Sequence, residues 1–360
     1  LCSRLDLPGG IERAVVNTAN LFAANGHPVT LVILDDTAQS FYTIDPKISL
    51  LQLSLSFGIS SEGNIITRKL RMLSDVLRLR KILRSLKPDI LISSEYPFTV
   101  AMVLAGAGKQ CRIYSWEHHH FHWLKKNRFW TKACEWAYPR LHGVICLNAS
   151  EKKYYPEKPA VSIIPNHLNA IKTVLADPAN RQLLTIGNLI ARKGIDFLLA
   201  IAPKILQQHP GWKWKIIGDG VLKEAVEDCI RKEGLEGRLL LQEPAGEDLQ
   251  KEYAASSLYI MTSRFEAFPM VLLEAMQQGL PCISFDCESG PASIITNGED
   301  GLLVAKEDSN AMCQAIDSMI RDEKRRAEMG AAASRNIRRF EGEKVYVLWK
   351  EIFEKKMDSR

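Results

Sequence analysis

At 360 residues, 46% hydrophobic and 25% charged, the chain is long enough for two domains with separate cores and has the balance of a soluble globular protein. No run of about 18 apolar residues occurs, which argues against a membrane-spanning helix, and no secretory signal opens the chain. Eight cysteines, at 2, 111, 134, 146, 229, 282, 287 and 313, include no CxxC pair. They read as small core residues of a reduced, cytoplasmic protein rather than a disulfide framework or zinc site. The net charge of +5 is modest, but over positions 68–87 eight basic residues face a single acid, Asp75.

Taken in chain order, Leu7-Pro8-Gly9-Gly10 is a glycine turn running into an amphipathic helix expected over 11–24. Bare amides at such a helix start can approach a phosphate closely. A tight strand–helix turn without a ligand fits the local sequence equally, and the turn is not the GxGxxG dinucleotide fingerprint. A strand is expected over 29–34, a helix over 68–86 with apolar residues at 73, 76, 79, 83 and 86, and short strands over 90–93, 112–115 and 143–147. Apolar strands alternating with helices predict a parallel sheet covered on both faces.

The pattern closes at 161–166, with Pro165-Asn166, and restarts beyond a polar stretch near Asp177-Pro178. Strands are expected over 183–187, 213–217, 239–242 and 258–261, and helices over 197–208, 222–233 and 247–255. This is a second doubly wound unit. Further helices are expected between about 310 and 357, and there is no internal repeat or low-complexity segment.

One stretch carries most of the chemistry. Ser263 to Met276 places Glu266 in a loop, then Phe268-Pro269, then an apolar helix bearing Glu274. Pro269 suits the first turn of that helix, where its missing N–H is no loss. The amides of Met270 and Val271, at the positive helix end, then make a site for a phosphate. Two carboxylates beside an anion make sense when they accept hydrogen bonds from hydroxyls, including a vicinal diol. A nucleotide diphosphate sugar meets all these demands. Alone, Glu-x7-Glu fits an ordinary amphipathic helix with two solvated glutamates at least as well.

The segment resembles the Glu-x7-Glu signature of the retaining GT-B glycosyltransferases of family four. The likeness extends to the Gly9-Gly10 loop, the Pro165-Asn166 junction and Arg192-Lys193-Gly194. It implies an α/β protein of GT-B fold, with two doubly wound Rossmann-like domains facing each other across a cleft. Residues 1–168 would bind the acceptor and 169–335 the nucleotide sugar, with a helix in 336–360 crossing back to the first domain. The family's first strand begins a few residues earlier, so the native start is expected upstream of Leu1.

The resemblance assigns Lys193 to the diphosphate, and two adjacent cations there could stabilise a departing leaving group. The family often carries an arginine directly after the strand glycine, where this chain has Asn188, so Arg192 is inferred to substitute for it. Gly218-Asp219-Gly220 reads as a structural turn. Glu266 would hold the donor sugar and Glu274 the ribose diol. Gly9, Gly10, Asn188, Phe268, Pro269, Met270 and Val271 complete the expected donor site.

Glu117-His118-His119-His120-Phe121-His122 invites a metal reading, but four histidines in five positions at a strand end cannot converge on one ion, and no HExxH accompanies them. By resemblance a histidine here sits near the donor sugar; His118 is the best match, with His119 or His120 as alternatives in register. No Asp-x-Asp occurs anywhere, which predicts a metal-independent enzyme without a cofactor.

The basic segment 68–87 and the run Trp123 to Trp130 mix cations with large apolar side chains. A solvated helix face and core packing account for them by default. Their place in the acceptor domain suggests docking on an anionic membrane carrying a lipid-linked acceptor; no nucleic-acid motif accompanies them. The segment Asp286 to Pro291 looks like a subgroup that builds bacterial surface polysaccharides, which favours a UDP-hexose or UDP-N-acetylhexosamine over GDP-mannose. The expected activity is retaining hexosyl transfer to a glycan or lipid-linked acceptor at the inner face of the plasma membrane. A GT-B-fold epimerase, a sugar phosphorylase and a silent binding subunit are the rivals.

Overall fold

The structure is a computed structural model that describes residues 1–2, 4–34, 40–55, 65–119, 126–169, 174–244 and 249–354, the side chains of 65–69 excepted. It divides into two compact units, Leu1–His167 with Gly342–Arg360, and Leu168–Glu341. The sequence placed these divisions at 168/169 and 335/336.

The first unit contains α1 (Gly10–Ala24), β1 (Thr30–Ile33), β2 (Ser49–Gln52), α2 (Ile65–Leu86), β3 (Ile90–Ser93), α3 (Tyr96–Leu104), β4 (Arg112–Glu117), α4 (Arg128–Ala137), β5 (Gly143–Cys146) and β6 (Val161–Ile163). Strands β3-β4-β5-β6 form one parallel sheet and β1-β2 another. The first residues stitch the two together: Cys2 exchanges backbone hydrogen bonds with Val32 and Leu34, and Ser94 N donates to Leu1 O. Leu79, Phe98, Met102, Ile113, Leu141 and Val144 form part of the core. The sequence pattern missed β2, α3 and α4. Strand β2 is an exposed edge with little alternation, and α3 is so thoroughly buried that it shows no polar face.

The second unit runs β7 (Gln182–Ile186), α5 (Ile195–Gln208), β8 (Lys213–Ile217), α6 (Lys223–Lys232), β9 (Leu239–Gln242), α7 (Gln250–Ala254), β10 (Leu258–Met261), α8 (Met270–Gln277), β11 (Cys282–Asp286), β12 (Gly301–Ala305), α9 (Ser309–Arg321) and α10 (Glu323–Asn336). All six strands are parallel, in the order β12-β11-β10-β7-β8-β9. That is a doubly wound sheet whose direction of winding reverses between β7 and β10, where crevices form at strand carboxyl ends. Its core includes Trp214, Leu198, Ile260, Phe285 and Met312.

The last element among the described residues is α11 (Gly342–Glu354), which packs on α1 of the first unit. Phe22 and Trp349 meet edge to face at 5.2 Å, and Arg112 donates to the carbonyls of Ile352 and Phe353.

Candidate active site

The two loops leaving β7 and β10 meet at the switch point of the second sheet. After β7 the chain passes Gly187 and an exposed Asn188, then makes a short 3-10 turn, Ala191–Lys193, closed by Gly194. The β10 loop straps this turn down: Arg264 N donates to Arg192 O, and Thr262 Oγ1 to Lys193 O. Gly194 is required twice over. Its φ is +67°, and a Cβ there would lie 1.8 Å from Thr262 O. Gly218 is the matching close approach on the other side, since a Cβ would lie 2.0 Å from Gly187 O.

This arrangement brings Lys193 to Glu266. Lys193 Nζ lies 2.6 Å from Glu266 Oε1, which also accepts from Ser263 Oγ at 2.7 Å. Both partners converge on Oε1, and among the described residues no group donates to Oε2. Burial disfavours the charged form of Glu266. The charge and hydrogen bond of Lys193, the charge of Arg192 and the Ser263 hydroxyl outweigh it and hold the carboxyl below its ordinary range.

Behind Glu266 stands the segment after β11. Glu266 bridges Ser289 in parallel, and a Cβ on Gly290 would lie 2.6 Å from Glu266 O. The stretch that served only as a subgroup marker in the sequence is therefore the wall that fixes Glu266. Burial, followed by the charge of Glu266, pushes the Cys287 thiol up to about 12, so it stays a neutral part of that wall.

Helix α8 begins at Met270. Pro269 is its N-cap residue, with φ −72° and ψ 106°, not its first helical residue as the sequence suggested. The Leu272 amide turns back to Pro269 O, while among the described residues the Met270 and Val271 amides have no acceptor. Phe268 is buried and meets Phe340 edge to face at 5.3 Å. One turn along, Glu274 is buried and its Oε2 accepts from Tyr253 OH at 2.8 Å. Tyr253, on α7, had no signal in the sequence: a single tyrosine in a short helix is indistinguishable from core.

In the first unit, Gly9 caps α1, which starts at Gly10. The Glu12 side chain curls back over this turn, so that a Cβ on Gly9 would lie 1.9 Å from its Oε2. Burial raises the Glu12 carboxyl above its ordinary range. His118 follows β4 and packs on Trp116, ring centroids 4.1 Å apart, with Trp349 of α11 behind Trp116 at 5.3 Å. Burial, then the charge of His119, lowers His118 to about 3, so its ring is neutral near pH 7. Among the described residues His118 Nε2 has no hydrogen-bond partner. His120 and His122 lie outside the described residues, as do Phe121 and 123–125.

The residue before His118 anchors the strand end. Glu117 Oε1 accepts from Ser115 Oγ at 2.6 Å and Tyr138 OH at 2.8 Å, and the hydroxyl chain continues through Thr99 to Ser93. Burial, followed by the charge of Glu117, drives the Tyr138 hydroxyl well above its ordinary value, which keeps it a donor.

The family "Glycosyltransferase Family 4" matches residues 8–170, and "Glycosyl transferases group 1" matches 169–336. This chain is a family 4 glycosyltransferase. It is similar to an uncharacterized glycosyltransferase of Haemophilus influenzae, 26% identical over 96% of each chain. It is also similar, at 25% identity over 95% of this chain and 94% of the other, to a Campylobacter jejuni enzyme. That enzyme's name is GalNAc-alpha-(1->4)-GalNAc-alpha-(1->3)-diNAcBac-PP-undecaprenol alpha-1,4-N-acetyl-D-galactosaminyltransferase.

Among solved structures, a mutant of S. aureus TarM in complex with fondaparinux, alpha-GlcNAc-glycerol and UDP superposes with TM-score 0.80. The identity is 15%, over 98% of both chains. The lipopolysaccharide outer core galactosyltransferase WaaB gives 0.75 at 21% identity, over 99% of this chain and 98% of that one. The fold is thus the GT-B fold of these glycosyltransferases.

Within this family 4 chain, Asn188, Arg192, Lys193, Glu266, Phe268, Pro269, Met270, Val271 and Glu274 all belong to the second unit, on the β7 and β10 loops and α8. Gly9, Gly10 and His118 belong to the first. No group of three or more potential metal ligands occurs among the described residues.

Proposed function

We propose that this glycosyltransferase is a cytoplasmic, retaining, metal-independent enzyme that moves a hexosyl or N-acetylhexosaminyl group from a UDP-sugar to a glycan or lipid-linked acceptor. The setting is bacterial surface polysaccharide synthesis. The observation that carries the reading is the Lys193–Glu266 pair at the start of α8, with both contacts to the carboxylate on Oε1. Lys193 and Arg192, with the Met270 and Val271 amides, take the diphosphate, and the helix end adds its positive potential. Glu266 Oε2 accepts from a donor sugar hydroxyl, and Glu274 accepts from the ribose. Asn188, Phe268 and Pro269 line the same place, and Gly9 and Gly10 approach the phosphates once the Glu12 carboxylate swings aside. His118, neutral at physiological pH, orients the sugar.

In the transfer step the bond from the anomeric carbon to the phosphate oxygen breaks. The bond to the acceptor oxygen forms on the same face, and the departing phosphate takes the acceptor's proton. The cations are worth most here, where charge grows on the leaving group. Support for a UDP donor comes from the UDP bound to TarM, and for a lipid-linked acceptor from the undecaprenol in the name of the Campylobacter relative.

A thermal-shift panel of nucleotide sugars, followed by transfer assays with NMR assignment of the product anomer, tests the reading. A UDP-sugar should raise the melting temperature, the product should keep the donor's anomeric configuration, and EDTA should leave turnover nearly unchanged. An inverted product, or complete loss of activity with EDTA, overturns the corresponding part.

A further inference from the structure

The turn that carries Arg192 and Lys193 has all three of its carbonyls held by the β10 loop. Ala191 O accepts from Arg264 Nη1 at 2.7 Å, Arg192 O from the Arg264 amide at 2.9 Å and Lys193 O from Thr262 Oγ1 at 3.1 Å. Two of these three bonds come from Arg264, which stands two residues before Glu266. One residue therefore links the backbone under Lys193 to the loop that presents its carboxylate partner.

The guanidinium of Arg264 is already engaged. Nη1 and Nη2 donate to the two oxygens of Asp196 at 2.7 and 2.6 Å, and Nε lies 3.4 Å from Glu307 Oε1. The Phe197 ring centre is 4.3 Å from the guanidinium carbon. Asp196 belongs to the first turn of α5, directly after Gly194 closes the Ala191–Lys193 turn. The hydrogen bond from Arg264 outweighs burial and holds the Asp196 carboxyl below its ordinary range.

The Asp196 side chain is 57% exposed, and exposed ion pairs contribute little to stability. The value of this one is geometric. A two-pronged guanidinium–carboxylate pair fixes orientation as well as distance. Here it ties the β7 turn, the start of α5 and the β10 loop to one planar group, with Glu307 after β12 on its remaining edge.

We propose that Arg264 is a positioning residue for transfer: through Ala191 O and Asp196 it fixes the turn that aims Lys193 at Glu266 and at the leaving group. This rests on the donor-site reading and adds to it a cation that touches no part of the donor. Acting instead as a third phosphate ligand, Arg264 would have to abandon both Asp196 and Ala191 O. Lysine cannot replace it, because a single ammonium lacks the fork that spans the two acceptors and the flat face that meets Phe197.

The test is a cycle of Arg264→Gln with Lys193→Ala. Turnover is read as UDP released from UDP-glucose, UDP-galactose, UDP-GlcNAc or UDP-GalNAc. Arg264→Gln should lower kcat by about 10–10²-fold, the scale of a misaligned reacting group. Donor KM should stay within about threefold, and the variant should melt close to the unaltered chain. Arg264→Lys should not restore kcat. In the Lys193→Ala chain, Arg264→Gln should cost no more than about twofold further, since its effect runs through Lys193.

Unchanged kcat, or the same loss in both backgrounds, overturns the proposal. So does a raised donor KM with kcat intact, which would make Arg264 a direct phosphate ligand. If Arg264→Gln does not fold, Asp196→Asn in the same two backgrounds is judged by the same criteria. Full turnover by Lys193→Ala, or release of UDP from none of the four donors, is a different result: it removes the donor-site reading, and this proposal with it.

Discussion

Lys193 and Glu266 are 73 residues apart in sequence, yet Nζ and Oε1 approach to 2.6 Å, with side chains 21% and 8% exposed. Sequence reasoning gave them separate tasks, one for the diphosphate and one for the sugar. The pair makes those tasks interdependent, because each side chain is aimed by the other. Lys193→Ala leaves Glu266 buried beside fewer cations, so it should cost stability toward the lower end of the roughly 3–5 kcal/mol seen for broken buried pairs. Turnover should fall by about 10²–10³-fold, the range for removing a charge-stabilising group. Glu266→Gln should lose turnover similarly while melting close to the unaltered chain, and adding it to Lys193→Ala should restore much of the lost stability. Steady-state kinetics and thermal melts of the three variants decide this; unchanged turnover in either single variant removes the proposed site.

Tyr253 donates to Glu274 Oε2 and so fixes the carboxylate that is proposed to hold the ribose. Tyr253→Phe keeps the ring and deletes that hydrogen bond. Hydrogen bonds to charged groups contribute about 1.5–3 kcal/mol, so donor KM should rise roughly tenfold or more. Turnover at saturating donor should change little, because the ribose is remote from the breaking bond. A selective fall in turnover would place Tyr253 in the chemistry instead.

Two buried histidines of the first unit set a pH dependence. His118 is lowered to about 3, by burial first and then the charge of His119; burial lowers His167 to about 4, against a hydrogen bond that its ring donates to the Asn17 backbone. Below pH 6.5 the unfolded chain binds protons at these positions and the folded chain does not. Stability should therefore drop as pH falls from 6.5 toward 4, by up to about 1.4 kcal/mol per pH unit for each histidine. The pH–rate profile should show no limb near 6.5 arising from His118. Glu266 adds to this loss in the same sense but only at lower pH, since its depressed carboxyl stays charged in the folded chain where the unfolded chain already takes up the proton. Melting temperatures from pH 7 to 4, for the unaltered chain and His167→Asn, test the sign; a flat curve contradicts it.

Much of the second unit was legible because its signals are local. The strands before Gly187 and Ser263 are short apolar runs, and Pro269 and Gly194 punctuate the loops through backbone requirements that few residues meet. Partners brought together by the sheet were not legible. Ser263 and Lys193 on one oxygen of Glu266, Tyr253 on Glu274, and the 286–291 wall depend on strand order rather than spacing. The same limit hid α3, whose uniform burial erases the helical period. Glu12 over Gly9 was missed for a different reason: a glutamate in a first helical turn ordinarily reads as solvated, and only its rotamer shows it covering the glycine.

Trp349 lies behind Trp116, on which His118 packs, so the last helix supports a residue proposed to act on the donor sugar. Trp349 is fully buried and also touches Phe22 and Phe353. Trp349→Leu should open a cavity beside Trp116 and cost about 2–4 kcal/mol, somewhat less than full truncation to alanine. With Trp116 less constrained, the His118 ring loses its fixed orientation, and loose positioning of a reacting group lowers rate more than binding. Turnover should therefore fall while the thermal shift produced by UDP, which rests on second-unit residues, remains. Parallel loss of UDP binding would mean that the substitution disrupts the whole chain, and unchanged turnover would detach His118 from the chemistry.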